Sequence, residues 1–366
     1  MLVVVAMPCL DEEGGVKPVC RSLGFGSSAE RSGVAAVLVL VDNGSRDGTL
    51  SAMERVAACS QTGSVRVVRE PSMGFVPARH RGALEARRVA GERGVSEDEV
   101  LLVQADADTI YMPKFLATMA RCSSHAGIGA LIEGYSEAEP ASEEFVAYRR
   151  LETMVDAAAA GALLDDAFDV VVDDKVAALR LSDYFAWGGH RREWANDGDE
   201  VLAETTRLYM RGRLLGGRRC RAEAFAWTSL RRVVQDPGLA FATAGHPRGP
   251  RWGAKWSSAY VGPSTVQAFD APLSPEAAVQ LVHSRVMHLV ALFRLLPAWM
   301  AASMGPSNRG RPACLDGSPS PEAGAGSPGA VVDWAMSRPW EEIFARLAAN
   351  AGDVEQVVAA ATRVLT

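Results

Sequence analysis

Two aspartates, Asp106 and Asp108, directly follow an apolar run that predicts a buried strand over residues 100–105. Both carboxylates should therefore lie at the carboxyl end of that strand, where open α/β sheets bind their ligands. Two like charges this close repel each other unless a cation lies between them, so a divalent ion carrying a diphosphate is a natural partner. The alternative is an ordinary turn in which one aspartate caps the helix that Pro113 begins. Asp-x-Asp alone does not decide between them.

A third aspartate, Asp42, ends another predicted strand and is followed by Asn43 and by small residues over 44–49. An aspartate at a strand end can accept hydrogen bonds from a nucleoside, and small residues let the backbone approach a ligand closely. An equally good interpretation is a plain turn, with Asp47 or Thr49 capping the next helix.

Charged side chains also open two predicted helices. Arg79 and Arg81 lie in the first turns of a helix over 76–91, where a helix N-terminus and a guanidinium can hold a diphosphate. A solvated basic helix face is the alternative. Asp199 and Glu200 open a later helix and could take a proton from an acceptor hydroxyl, although acids favour a helix's first turn in any case.

The elements that must position these residues alternate along the first part of the chain. Predicted strands cover residues 2–7, 36–41, 64–69, 100–105 and 128–133, and predicted helices cover 16–23, 49–59, 76–91 and 113–123. This order predicts an α/β fold with a mostly parallel, Rossmann-like sheet and helices on both faces. Helices over 142–164 and 200–211 are expected to follow.

Four segments, taken in order, resemble a known family. They are Pro-Cys-Leu-Asp-Glu-Glu at 8–13, Asp-Asn-Gly-Ser-Arg-Asp-Gly-Thr at 42–49, Ala-Arg-His-Arg-Gly at 78–82 and Asp-Ala-Asp at 106–108. Family 2 glycosyltransferases, an inverting group of GT-A fold, have similar motifs in the same order and at similar spacing. The resemblance covers about the first third of the chain.

The resemblance implies a metal-dependent transferase that moves a sugar from a nucleotide-diphosphate sugar to an acceptor hydroxyl, in polysaccharide, glycolipid or glycoconjugate synthesis. Asp42 would hold the base or ribose of the donor, with Asn43 in the same motif. Pro8 and Glu12 would shape the pocket. The donor and an unknown acceptor are then the expected partners.

The resemblance also assigns the charged residues near the diphosphate. Asp108 would bind Mg²⁺ or Mn²⁺, and Asp106 would contact the nucleotide, the sugar or the metal shell. Arg79 would help to stabilise the departing diphosphate.

The acidic motif of the family departs from its usual Glu-Asp order, because Asp199-Glu200-Val201 stands in its place. If Arg207 and Leu208 set the register, Glu200 is the base; if the order is inverted, Asp199 is the base. This departure keeps open a catalytically altered nucleotide-sugar-binding module. Trp187, His190 and Trp194 lie nearby, either as an acceptor platform or as buried core aromatics.

Two other classes are less favoured. A nucleotidyltransferase would normally show a basic Gly-rich loop after its first strand, whereas residues 8–15 are acidic. An NAD-binding sheet would carry Gly-x-Gly-x-x-Gly there, and that fingerprint is missing.

The composition limits the classes of protein to which the chain can belong. The 366 residues carry a net charge of −6, which argues against nucleic-acid binding through bulk electrostatics. Six scattered cysteines predict a reduced, cytoplasmic protein without a zinc site, and the apolar N-terminus is expected to be a strand and not a signal peptide.

The expected domain organisation has four parts. Residues 1–240 form the transferase domain, 241–304 a helical extension, 305–330 a Gly/Pro/Ser-rich flexible linker and 331–366 terminal helices. The extension contains a long amphipathic helix over 279–304. Packing on the core is its favoured role, and peripheral contact with a membrane or a partner is the alternative. The sequence does not determine the oligomeric state.

Overall fold

The computed structural model describes residues 1–26, 33–139, 143–163, 172–192, 203–244, 263–271 and 273–296, with short pieces beyond. The chain folds into two compact units. Unit 1 comprises Met1–Glu139, Val172–Arg192 and Ala203–Ser229, and unit 2 comprises Pro140–Val171, Glu193–Leu202 and Leu230–Thr366. The predicted limits at 240, 304 and 330 stay a prediction, and most of the predicted linker and terminal helices lie outside the described residues.

The described residues of unit 1 form one sheet of eight strands. The strands are β1 Leu2–Cys9, β2 Ala36–Asp42, β3 Val65–Arg69, β4 Val100–Gln104, β5 Thr109–Tyr111, β6 Ala130–Ala138, β7 Ala177–Arg180 and β8 Arg218–Thr228. The α-helices within the described ranges are α1 Glu13–Ser22, α2 Thr49–Cys59, α3 Phe75–Arg93, α4 Phe115–Ala126, α5 Val146–Leu163, α6 Leu181–Ala186, α7 Glu204–Leu214, α8 Arg231–Gln235, α9 Pro237–Ala242 and α10 Pro275–Val290.

The strand order across the sheet is β3-β2-β1-β4-β7-β6-β8-β5. Strands β3, β2, β1 and β4 are parallel to each other, β7 is antiparallel to both of its neighbours, β6 and β8 are parallel, and β5 is antiparallel to β8. Six strands therefore run in one direction, and only β5 and β7 oppose them. The edge where β1, β2, β4, β6 and β8 end is called the carboxyl rim below.

Helices cover both faces of this sheet because the central strands are apolar on both sides. One apolar layer includes Val16 of α1, Met53 of α2 and Met119 of α4. The other includes Val89 of α3 and Leu208 of α7. Helix α3 lies very close to β1, since a Cβ at its Gly82 would come within 2.7 Å of the Ala6 Cβ.

The predicted α/β fold class with a mostly parallel sheet is confirmed, since six of the eight strands run in one direction. All five predicted strands are present, with ends shifted by a few residues. Three strands were not predicted. Strands β5 and β7 are only three and four residues long, and β8 carries charged residues along much of its length.

Unit 2 is helical in its described part. Arg285 of α10 is buried between helices, where its guanidinium lies 2.6 Å from both carboxylate oxygens of Asp156 and donates to the Phe241 carbonyl at 2.8 Å. The predicted long helix begins earlier than expected, at Pro275, with the Ser274 hydroxyl accepting from the Ala277 amide. It ends as an α-helix at Val290 and continues as a π-helical turn.

Most side chains along the second half of α10 are buried, as the packing interpretation expects. Within the part of the chain that the structure describes, no helix combines the length and the apolar character that crossing a bilayer requires.

Candidate active site at the carboxyl rim

Asp42 lies at the carboxyl rim, as the last residue of β2 and in register with Cys9 at the end of β1. Its side chain is buried, and its Oδ1 accepts a hydrogen bond from the Ser45 amide at 3.1 Å. Pro8 is half-buried beside it, in register with Val41. The loop after β2 therefore fixes the Asp42 carboxylate at the rim.

Asn43 uses its side chain to hold the chain that enters α3. Its Nδ2 donates to the carbonyls of Glu70 at 3.0 Å and Ser72 at 2.8 Å, and its Oδ1 accepts from the Gly74 amide at 3.0 Å. Both amide hydrogens are thus used within the protein. A role of Asn43 in donor binding stays a prediction. The contacts in the structure hold the loop that leads into α3.

The loops after β1 and β2 are joined by side chain to backbone hydrogen bonds. The Glu12 amide donates to the Thr49 hydroxyl at 2.6 Å, and the Glu13 amide donates to Asp47 at 3.1 Å. Asp47 also accepts from the Thr49 amide and hydroxyl, and the hydroxyl bond is the main reason that the pKa of Asp47 is lowered. The N-cap of α2 is Gly48, without a side-chain cap, and Asp47 accepts from the first amide of the helix from its place before the N-cap. These contacts hold the half-buried Glu12 next to the loop that follows Asp42.

Asp106 and Asp108 follow β4 at the same rim, and both are half-buried. The Asp106 amide donates to the Tyr111 hydroxyl at 3.0 Å, and the Asp108 carbonyl accepts from the Ser229 amide at 2.9 Å. Neither aspartate caps the next helix, because α4 begins at Phe115 without a side-chain cap. The capping interpretation is therefore wrong, and both residues lie at the rim.

Arg79 of α3 lies under this rim, 7% exposed, as the centre of an ion cluster. Its Nη2 lies 2.8 Å from Asp106 Oδ1 and 2.7 Å from Asp174 Oδ2, and its Nε lies 2.9 Å from Glu204 Oε1. Burial opposes the charge on Arg79, but the three carboxylates outweigh it and raise its pKa. We call Arg79, Asp106, Asp174 and Glu204 the Arg79 cluster.

The Arg79 cluster sets one guanidinium against three carboxylates, so negative charge is in excess before Asp108 is counted. Among the described residues, no group of three His, Cys, Asp or Glu side chains is arranged to hold a metal ion. Two rim carboxylates nevertheless fit Mg²⁺ or Mn²⁺, since such ions are often bound by one or two carboxylates and completed by substrate phosphates and water. The two carboxylates therefore fit a divalent cation that is also coordinated by a diphosphate.

Asp174 was not found from the sequence. It begins a 3₁₀ turn, Asp174–Val176, that leads into β7, and the antiparallel direction of β7 brings this start to the carboxyl rim. Burial raises the pKa of Asp174 to about 7, with Asp106 and Glu204 adding to the effect and Arg79 opposing it. The acidic pair Asp173 and Asp174 before the apolar residues 176–179 was the available signal, but the strand it precedes was not predicted.

Stability should depend on pH through Asp174. Its folded pKa of about 7 lies above the unfolded value, so its contribution is fully present below about pH 4 and is lost as the pH rises through 7. Asp174→Asn should therefore gain stability relative to wild type between pH 5 and pH 8 on the order of 1 kcal/mol or more. Urea unfolding with EDTA at both pH values measures this, with the exposed Asp98→Asn as control. Parallel pH profiles for wild type and Asp174→Asn would contradict the assignment.

A chain of hydrogen bonds extends from the Arg79 cluster into the protein. Gln104 Oε1 lies 3.4 Å from Arg79 Nη1 and accepts from the Thr205 hydroxyl at 2.9 Å. The Thr205 hydroxyl is 3.2 Å from His190 Nε2, and His190 Nδ1 is 3.2 Å from the Tyr184 hydroxyl. Burial lowers the pKa of His190 well below its usual value, followed by the effect of Arg79. The neutral imidazole thus connects β4, α6 and α7.

The aromatic residues considered as an acceptor platform are mostly internal. Trp187 is 4% exposed and His190 is 5% exposed, so the core interpretation is correct for both. Trp194 lies outside the described residues.

Asp199 and Glu200, the two candidate bases, also lie outside the described residues. The pair proposed to set their register, Arg207 and Leu208, is buried in α7, which begins at Glu204. The choice between Asp199 and Glu200 stays open.

Comparisons with known proteins give only distant matches. No family model and no curated protein matches the sequence. The 1–349 fragment of TarS from S. aureus, in complex with UDP-GlcNAc, matches at 15% identity and a TM-score of 0.43, covering 100% of this chain and 89% of that one. Glucosyl-3-phosphoglycerate synthase from Mycobacterium tuberculosis, in complex with Mn²⁺, UDP and glucosyl-3-phosphoglycerate, matches at 20% identity and a TM-score of 0.32, covering 50% of this chain and 57% of that one. At such values, the functional assignment rests on the residues of this chain.

Proposed function

We propose that the protein is a metal-dependent inverting glycosyltransferase that uses a nucleotide-diphosphate sugar. The observation that carries the proposal is that Asp42, Asp106 and Asp108 lie at the same rim of the sheet. They stand at the carboxyl ends of β2 and β4, two parallel strands that two helices and a further strand separate in the sequence. Such a donor requires carboxylates for its nucleoside and for a metal ion, and a cation near its diphosphate. These groups come from the motifs at 8–13, 42–49, 78–82 and 106–108.

Donor binding is assigned to the end of β2. The buried Asp42 carboxylate, already held by the Ser45 amide, would accept hydrogen bonds from the base or ribose. Pro8 and Glu12 border it, and Asn43 keeps the entrance to α3 in place. The donor is therefore expected to lie across the ends of β1 and β2.

The diphosphate is assigned to Asp106 and Asp108 through Mg²⁺ or Mn²⁺. Such an ion neutralises the charge that develops on the departing diphosphate. Asp108 would be the principal ligand, and Asp106 would be shared between the ion shell and Arg79. Arg79 would act mainly by holding Asp106 in place, since three carboxylates already surround its guanidinium.

Inversion requires one base and one displacement. The acceptor oxygen would form its bond to the anomeric carbon as the bond to the diphosphate oxygen breaks and its electron pair leaves with the diphosphate. The hydroxyl proton would pass to Asp199 or Glu200. A base of this kind contributes about 10²–10⁴-fold to the rate.

A thermal-shift panel of nucleotide sugars, with and without Mn²⁺, tests donor binding. One nucleotide sugar should raise the melting temperature in the presence of Mn²⁺, because a ligand at 100 times its Kd stabilises by about 2.7 kcal/mol. Asp42→Asn should weaken this shift, and Asp98→Asn should not. The proposal fails if no nucleotide sugar stabilises the protein under either condition.

A catalytically altered nucleotide-sugar-binding module is the second candidate, favoured by the unusual Asp199-Glu200-Val201 motif. It would give the same thermal shifts. Release of free sugar or of a transferred product, dependent on Mn²⁺, separates the two, since a binding module would give neither.

A further inference from the structure

Two aromatic side chains lie exposed on the sheet near the carboxyl rim. Tyr135 of β6 and Phe225 of β8 are in register, with ring centroids 5.2 Å apart and ring planes at 18° to each other. They are 41% and 45% exposed. Neighbouring exposed aromatic side chains can form part of a binding site for a ligand or for another protein.

A charged group is held beside the aromatic pair. The Arg221 guanidinium carbon lies 5.6 Å from the Tyr135 ring centroid. Its Nη1 lies 3.1 Å from Glu133 Oε2 and 3.2 Å from the Gly134 carbonyl oxygen. Glu133 is 1% exposed and also pairs with Arg219, so Arg221 is held against a buried carboxylate that it shares with a second arginine. We call Tyr135, Phe225 and Arg221 the aromatic platform.

An irregularity in the sheet creates this arrangement. Glu133 pairs with Arg221, but Tyr135 pairs with Phe225, so β8 advances four residues while β6 advances two. At Gly134 a Cβ would lie 2.5 Å from the Ala224 carbonyl oxygen, which only glycine avoids. Bulges of this type re-aim side chains and are common next to active sites.

The aromatic platform is connected to the proposed active site on both of its strands. On β6, the hydroxyl of Ser136, next to Tyr135, donates to Asp173, whose neighbour Asp174 belongs to the Arg79 cluster. On β8, the chain continues from Phe225 to Ser229, whose amide donates to the Asp108 carbonyl at 2.9 Å. Four residues of extended strand span about 13 Å.

We propose that the aromatic platform binds a saccharide chain of the acceptor, at a distance from the hydroxyl that reacts. A sugar ring has an apolar C–H face and a periphery of hydroxyls. Because Tyr135 and Phe225 are stacked on each other, the C–H face would pack on the part of the stack that stays exposed, and a hydroxyl would accept a hydrogen bond from Arg221. A span of about 13 Å to Asp108 exceeds one sugar ring, so the acceptor is an oligosaccharide or longer glycan and not a small alcohol. This inference rests on the proposed function and deepens it.

The test compares platform variants with a matched surface variant of the full chain. Tyr135→Ala combined with Phe225→Ala should weaken glycan binding about tenfold, the loss expected for aromatic contacts of this strength. Tyr135→Phe keeps the ring and should bind almost as wild type. Leu214→Ala removes a side chain that is 60% exposed at the end of α7 and should change nothing.

Because the acceptor is unidentified, a glycan array is the probe, followed by titration of the glycan that binds best. Wild-type binding that the double variant loses supports the proposal. Three results would overturn it: no array glycan bound by wild type, equal binding by the double variant, or a dimer in light scattering that the double variant dissociates. The last would make the platform an interface between copies of the chain.

Nucleotide-sugar stabilisation and acceptor-free hydrolysis of the donor are measured on the same variants. Both should be unchanged in the double variant. If the platform proposal fails while these persist, the proposed function stands; if wild type shows neither, the proposed function fails.

Discussion

Asp108→Ala should reduce metal-dependent sugar transfer by about 10²–10³-fold, the loss typical of removing one electrostatic contact to a developing charge. The reason is local charge, because Asp108 and Asp106 are the carboxylates at the end of β4 that can hold a divalent ion against a diphosphate. The measurement is kcat/KM for transfer or for donor hydrolysis over a series of Mn²⁺ concentrations. The variant should need much more Mn²⁺ for half-maximal activity.

The fold should survive this change, because the Asp108 carbonyl still accepts from the Ser229 amide in the alanine variant. Circular dichroism and the urea midpoint check this. Asp98→Ala, an exposed aspartate before β4, is the matched control and should behave as wild type. Undiminished activity of Asp108→Ala would remove the metal role assigned to this residue.

The parts of the fold that sequence could predict are those stabilised by their own local pattern. Strand β1 is apolar throughout, β2 and β4 are apolar up to their last residue, and α2 has the predicted bounds Thr49–Cys59. Strand β8 carries charges because one of its faces is partly exposed, and it forms by pairing with β6. That pairing joins residues far apart in the sequence, so no short window of the chain could indicate it.

The residues of the candidate site likewise fall into those that a local sequence pattern indicates and those that only long-range contacts bring together. Asp42, Asp106 and Asp108 could be located because each ends a strand that the sequence predicts. The surroundings of Arg79 could not, since Glu204 lies 125 residues further along the chain. The resemblance predicts that Arg79 stabilises a diphosphate, but in the structure its guanidinium faces carboxylates, and only the tertiary fold brings Asp174 among them.

Arg79→Ala should lower the free energy of unfolding by about 3–5 kcal/mol at pH 8, the cost of removing one partner from a buried ion cluster. Asp106, Asp174 and Glu204 would then lie together without the guanidinium that separates them. Arg79→Lys should recover only part of the loss, because one ammonium cannot donate in the directions of both Nε and Nη2. Urea unfolding of the EDTA-treated protein measures these effects.

The loss should also depend on pH in a defined direction. Arg79 opposes the raised pKa of Asp174, so its removal should raise that pKa further above the unfolded value. Protonation of Asp174 then favours the folded state over a wider pH range, so the deficit of Arg79→Ala relative to wild type should shrink as the pH falls from 8 to 5. Arg88→Ala on the same helix is the control: its guanidinium is 56% exposed and pairs with Glu85 and Glu92, so its loss should destabilise the protein much less than the loss of Arg79. Lys175, whose Nζ lies 2.7 Å from Asp173 Oδ1, is a second cation close to these carboxylates. A deficit for Arg79→Ala that is equally small, or that stays constant from pH 8 to 5, would mean that Lys175 or other cations already balance the carboxylates. In that case Arg79 would not be what holds Asp106 at the rim.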